Sequence, residues 1–211
     1  GYAISWLACR GLAFESVVAR LGLRTTGRQN EFARERVSSQ ALDDGWILVV
    51  ANRCNHAIVK APSLAAVSEG CELVACNIEE HVMYASAECW RDGQRLWHIE
   101  HASEEGGDHL AVEGTLPDSL QQLLAGLRQR PRDDDESGDF FDIPLDCAMA
   151  LVGFRHDVDH PAHEHDSFQV LEAHHLREMV GVLEVRPITP PTPPEPIAMY
   201  SSTFIFAKKE Y

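Results

Sequence analysis

The chain has 211 residues, 45% of them hydrophobic and 24% charged, which are the proportions of a folded globular protein and not of a disordered one. Its formal net charge is −15, a field that repels phosphate backbones and anionic lipid, so nucleic acid and membrane are not expected partners. No apolar run approaches the roughly 20 residues of a membrane-spanning helix; the longest, Ile4 to Cys9, stops at Arg10 and has neither a basic leader nor a small-residue cleavage site, so it does not read as a secretory signal.

Tyr2 to Cys9 is rich in aromatic and β-branched residues and predicts an opening strand. Phe14, Val17, Val18 and Leu21 follow at helical spacing with Gly22 as a C-terminal cap, predicting a helix over 13–22. Thr25 to Asn30 reads as loop. Trp46 to Asn52 reads as a central strand turned back through Asp44-Gly45 onto residues 34–41. Pro62 and Ser63 start a short helix that ends near Gly70, and Cys71 to Glu80 is a long strand. The next two strands form a hairpin around Asp92-Gly93, the composition of a two-residue type I′ turn. In that register Trp90 faces Arg95, Glu88 faces Trp97 and Tyr84 faces His101, while Cys89 faces Leu96 and Ala87 faces His98. The small residues of this strand leave room for a helix to lie across it. His109 to Leu116 adds a strand, and Pro117-Asp118-Ser119 begins a helix with a Leu120, Leu123, Leu124 and Leu127 stripe.

Residues 131–139 contain no apolar side chain and read as a solvated linker. They divide the chain into an α+β unit over 1–132 and a smaller acidic unit over 133–211, with a single domain over 1–211 as the alternative. Past the linker, Asp142 and Pro144 predict a helix over 144–155 whose buried face is Leu145, Ala148, Leu151 and Val152. Phe168 to Glu172 and Val180 to Val185 read as strands. Six prolines between Pro187 and Pro196 form an extended arm of about 30 Å leading to a last strand in MYSSTFIFAKK, which would pair with a sheet edge in this subunit or in a second copy. The helix endings RLGLR, LAGLR and LVGFR are alike enough to suggest two similar halves. The expected fold is α+β: a mostly antiparallel sheet with helices on one face and a proline-rich C-terminal arm.

Six cysteines carry no C-x-x-C spacing and sit mostly in apolar settings, which points to reduced thiols and a cytoplasmic location. Arginine outnumbers lysine fifteen to three, a bias of GC-rich bacterial genomes. Charge is polarised along the chain: residues 133–166 hold eleven carboxylates against Arg155 alone.

The stretch GFRHDVDHPAHEHD, residues 153–166, holds four histidines and four carboxylates. If the preceding helix continues a turn, His156 and His160 share one face at i, i+4, the spacing by which a helix offers two imidazoles to one ion. His163 and His165 alternate on an extended segment and point to one side. His156, His160, His163 and His165 with Asp159 or Asp166 form a candidate site for a divalent metal such as zinc, iron or manganese. The alternative is a polar loop with solvated or capping histidines. Known spacings do not match: H-x-H-x-D-H fails at Ser167 and Phe168, and no H-E-x-x-H, G-x-S-x-G, P-loop or G-x-G-x-x-G occurs. Cys54 and His56 after a buried strand form a candidate nucleophile and base, and Arg10 a candidate anion ligand or a structural cap.

Two functions are open on this evidence. The first is a non-enzymatic intracellular bacterial protein, of accessory or neutralising type, whose acidic surface binds a basic protein partner. The second is a metal-dependent hydrolase in which the 156–166 cluster holds the ion and activates a water.

Overall fold

The computed structural model describes residues 1–129, 138–158 and 168–174. These build a nine-stranded sheet in the order β2-β9-β3-β4-β1-β5-β6-β7-β8, every ladder antiparallel. The strands are β1 (Ala3–Arg10), β2 (Leu23–Asn30), β3 (Val37–Ala41), β4 (Trp46–Ala51), β5 (Glu72–Glu79), β6 (Tyr84–Arg91), β7 (Gln94–Ala102), β8 (Ala111–Gly114) and β9 (Phe168–Ala173). The helices are α1 (Phe14–Arg20), α2 (Ala61–Ser68), α3 (Asp118–Arg128) and α4 (Gly138–Val152). The class is α+β, as the sequence leads one to expect.

The helices occupy both faces of the sheet, not the single face expected. Ile4, Trp6 and Ala8 of β1 point to one side, where α3 and α4 bring Leu120, Leu124, Phe141, Ile143 and Leu145. Leu7 and Cys9 point to the other, where α1 and α2 bring Val17, Val18, Leu64 and Val67. The physical reason lies in the central strands: AISWLAC and WILVVA are apolar at nearly every position, and a strand of that composition needs cover on both sides.

Three local expectations change. Thr25 to Asn30, read as loop, is part of β2; its exposed side chains show no apolar alternation, and its partner is β9, nearly 150 residues later. The 84–102 hairpin turns at Asp92 and Gly93, with φ of 50° and 76° as a type I′ turn requires, but its register slips at a bulge. Trp90 faces Arg95 as expected, then Cys89 faces Trp97, Glu88 faces His98, Ala87 faces Ile99 and Tyr84 faces Ala102. The extra residue, Leu96, lets Trp97 and Ile99 join the core with Cys89 and Ala87; the unbulged register would send them to the opposite face. Finally, α4 starts before Pro144, which lies inside it, and ends at Val152. Gly153, at φ 77°, donates its N–H to Met149 O at 2.8 Å and stops the helix.

The small residues of β6 do receive a helix. Ala85, Ala87 and Cys89 lie in the core under α4. The three similar helix endings are not alike in space: Gly22 and Gly153 follow their helices at positive φ, whereas Gly126 lies within α3. Gly1–His174 form one compact unit that takes in residues on both sides of the expected 132/133 boundary. The linker core, the proline arm and the strands read at Val180 to Val185 and in MYSSTFIFAKK lie outside the described residues.

Candidate functional site

The loop after β4 is fastened to the sheet by two buried polar side chains. Ser5 and Asn77 face each other in the β1–β5 ladder. Ser5 Oγ lies 2.8 Å from both Asn77 Oδ1 and Arg53 O and accepts from His56 N at 3.2 Å. Asn55 N donates to Asn77 Oδ1 at 3.0 Å, and Asn55 takes φ 57°, a conformation asparagine tolerates better than most residues. Backbone groups of the loop are thereby satisfied by side chains of β1 and β5, which fixes where Cys54 is displayed.

Cys54 opens into a cleft of about 540 Å³ lined by Cys54, Asn55, Glu79, Val82, Tyr84, Ala102, Ser103 and Glu104. The size falls within the range of about 300–1,000 Å³ typical of ligand pockets. Its chemistry is acidic with an apolar wall. Glu79, at the end of β5, binds the ring of His81 at 2.9 Å. Tyr84 Oη donates to Glu100 Oε2 at 3.0 Å, and burial, with the Glu100 charge adding to it, pushes the phenol up to about 12. Val82 is 60% exposed on the adjoining 3₁₀ turn, Glu80–Val82. Lys60 Nζ donates to Asn55 Oδ1 at 3.0 Å.

The candidate Cys54–His56 pair does not form. His56 Nδ1 accepts from Ile58 N at 3.3 Å, capping the next short helix. Burial pushes the Cys54 thiol up and the Glu79 charge pushes it further, so it is held as the protonated, weakly nucleophilic form. Arg10 is engaged structurally, 2.9 Å from Glu72 and 4.7 Å above the Trp46 ring.

Of the candidate metal ligands, His156 is described; Asp159, His160, His163, His165 and Asp166 lie outside the described residues. α4 stops at Val152, so His156 lies beyond the helix. Its side chain is 1% exposed, with Nε2 3.5 Å from Glu80 Oε1 and the Tyr2 ring edge-on at 5.1 Å. Burial lowers its pKa against the pull of Asp157 and Glu80, favouring a neutral imidazole. Among the described residues, no group of three His, Cys, Asp or Glu side chains is disposed to hold a metal ion.

Arg155, which the sequence shows only as an isolated cation, gathers three carboxylates. It donates to Asp142, to Asp146 at 2.6 Å and to Asp157 at 2.7 and 3.0 Å. Burial acts to lower its pKa, but these carboxylates outweigh it and hold the guanidinium charged. Three of the acids of the 133–166 segment are thus spent inside the molecule. The cleft acids, by contrast, come from residues 79 to 104 through strand register.

Comparison with known proteins returns no match to a family model, a curated protein or a solved structure.

Proposed function

We propose that this is a non-enzymatic cytoplasmic protein of bacterial type whose acidic surface binds a basic protein partner, with the Glu79–Glu104 cleft receiving a lysine or arginine side chain. The observation that carries this reading is the lining of the cleft, where Glu79 and Glu104 stand beside Val82 and Ala102. Burial is the main cause that pushes the Cys54 thiol up, and the Glu79 charge that adds to it is of the sign that attracts a cation. Val82 and Ala102 supply an apolar wall for the methylene stem, and Glu79 and Glu104, in the same lining, supply carboxylates for the charged head. Reduced thiols suit the same compartment: all six cysteines are unpaired.

The test is calorimetric titration with an arginine-rich peptide at low and high salt, on the wild type and on a Glu79→Gln, Glu104→Gln double variant. Two partly exposed ion pairs are worth about 0.5–1 kcal/mol each, so affinity is expected to fall roughly tenfold in the variant and to weaken with salt in the wild type. Bound peptide should also shield Cys54 from a maleimide. Equal affinity in both proteins, or unchanged labelling of Cys54, overturns the assignment of the cleft. Lysine substitution at Asp133, Asp134 and Asp135 asks whether the acidic segment shares in the contact; unchanged binding would confine it to the cleft.

A further inference from the structure

The sheet ends at β8, and its outer edge offers backbone groups to a further strand. β8 is last in the strand order, and among the described residues it pairs with β7 alone. Which of its groups are free follows from the ladder. Thr115 N donates to Leu96 O at 3.1 Å, which makes Trp97 and Gly114 a non-hydrogen-bonded pair. Alternation then gives the hydrogen-bonded pairs to His98 with Glu113 and to Glu100 with Ala111. The N–H and C=O of Val112 and the N–H of Gly114 therefore point away from β7. An edge that presents such groups is a template for one more strand.

The side chains along this edge select the strand that fits. Val112 lies opposite Ile99, a core residue of the α3/α4 face, and is itself 37% exposed. Glu113 and Ala111 lie opposite His98 and Glu100, on the other face. One face of the edge is thus apolar and the other acidic. Residues 94–114 hold Glu100, Glu104, Glu105, Asp108 and Glu113 against the cation Arg95, and Arg95 is already bound to Glu113 at 2.6 Å. A second copy fits poorly. β8 against β8 brings like charges together, and Arg24 and Arg28 of the opposite edge strand, β2, are bound to Glu172 and Glu35. The connection from β7 to β8 also supplies Ser103 and Glu104 to the cleft, so the edge and part of the cleft wall belong to one β-hairpin.

We propose that the basic partner adds to β8 as a tenth strand, through an extended segment whose residues alternate apolar and basic. This deepens the binding reading above and rests on it. Backbone bonds to Val112 and to the Gly114 N–H hold the segment on the edge. Its apolar residues continue the Ile99–Val112 row, and its basic residues stand on the face of Glu113 and Glu100. In strand addition the backbone bonds supply affinity and the alternate side chains supply specificity, so the order of the partner's residues matters as well as their composition.

The probe is a peptide of alternating arginine and valine, compared with one of the same composition in which the arginines and valines form two blocks. Affinity is measured by calorimetry and backbone amide exchange by NMR, on the full chain and on Val112→Pro. Proline suits this position because the N–H it removes faces outward, leaving the bonds to β7 in place. The alternating peptide is expected to bind the wild type more tightly than the block peptide and to slow exchange at Val112 and Gly114. Its affinity should fall roughly tenfold in Val112→Pro. Equal affinity for the two peptides, or binding that leaves Val112 exchange unchanged, overturns the proposal. The exchange result on the wild type decides the matter even where the proline variant fails to fold. Binding that is weakened in Glu79→Gln, Glu104→Gln and unchanged in Val112→Pro overturns the strand addition and keeps the cleft reading. No binding by the wild type overturns both. Self-association of the chain that Val112→Pro abolishes gives the edge to a second copy and overturns the choice of occupant.

Discussion

Arg155 shows how one residue organises its surroundings through charge. Its side chain is 12% exposed and faces Asp142, Asp146 and Asp157, so Arg155→Met would leave three clustered carboxylates without their cation. Breaking a buried ion pair costs about 3–5 kcal/mol, and the partial exposure of the acids reduces this to about 2–3 kcal/mol, readable as a fall in thermal midpoint. The pH dependence has a definite sign. Burial pushes the Asp157 carboxyl up, but Arg155 overrides it and holds the group below its ordinary value. A depressed folded-state pKa gives stability that is complete above the unfolded value near 4 and is lost as pH falls through the folded one. Asp142 acts the other way, its carboxyl raised by burial despite Arg155, and this penalty would grow in the variant. The difference in midpoint between wild type and Arg155→Met should therefore be largest at neutral pH and shrink as pH falls, starting at the raised Asp142 carboxyl and finishing below the depressed Asp157 one. A difference independent of pH would assign the loss to packing of the arginine stem instead. The sequence places Arg155 among acids but cannot choose its partners, because two of the three approach from the preceding helix only after Gly153 reverses the chain.

At the scale of elements, backbone conformation and side-chain volume set where strands and helices meet. Gly114 ends β8 at φ 77°, and a Cβ there would lie 2.1 Å from Leu96 O and 2.9 Å from Trp97 Cα, both backbone atoms. Gly114→Ala must therefore displace β7 or β8 as well as strain its own backbone, at a cost of about 3 kcal/mol. Gly22 has a similar φ of 65° with open space around it, so Gly22→Ala should cost about 1 kcal/mol from strain alone. Denaturant unfolding of the two variants compares the terms directly; equal losses would show that the close approach at Gly114 relaxes without cost. Ala87 tests the seat of α4. It is fully buried beneath that helix, and Ala87→Leu is expected to destabilise by about 1–3 kcal/mol through overpacking. An unchanged midpoint would mean that the helix shifts freely. The Asp92-Gly93 turn, the α3 leucine stripe and the small residues of β6 were legible because each is a local rule. The bulge at Leu96 was not, since it follows from which face Trp97 and Ile99 must reach.

For the whole molecule, the governing fact is that late segments complete an early sheet. β9 pairs with both β2 and β3, through Leu171 with Thr25 and through Val170 with Ser38, and α4 covers Trp6, Ala85 and Ala87. A fragment ending at residue 132 would lack both elements, exposing one face of the central strands and an unpaired edge on β3. It is expected to bind a hydrophobic dye and to unfold without a cooperative transition. A cooperatively folding fragment would support an independent unit over 1–132.

By itself the sequence determined the class of fold, most strand and helix positions, the hairpin turn and the unpaired state expected of the thiols, because these follow from periodicity, turn chemistry and composition acting over a few residues. Tertiary structure alone decided that both faces of the sheet are covered, that β2 is a strand, that His156 sits beyond its helix against Glu80, and that Glu79, Tyr84, Glu104 and Cys54 share a cleft. Those outcomes depend on residues tens to well over a hundred positions apart, whose meeting is set by strand register and by competition for the core, and neither leaves a local signature.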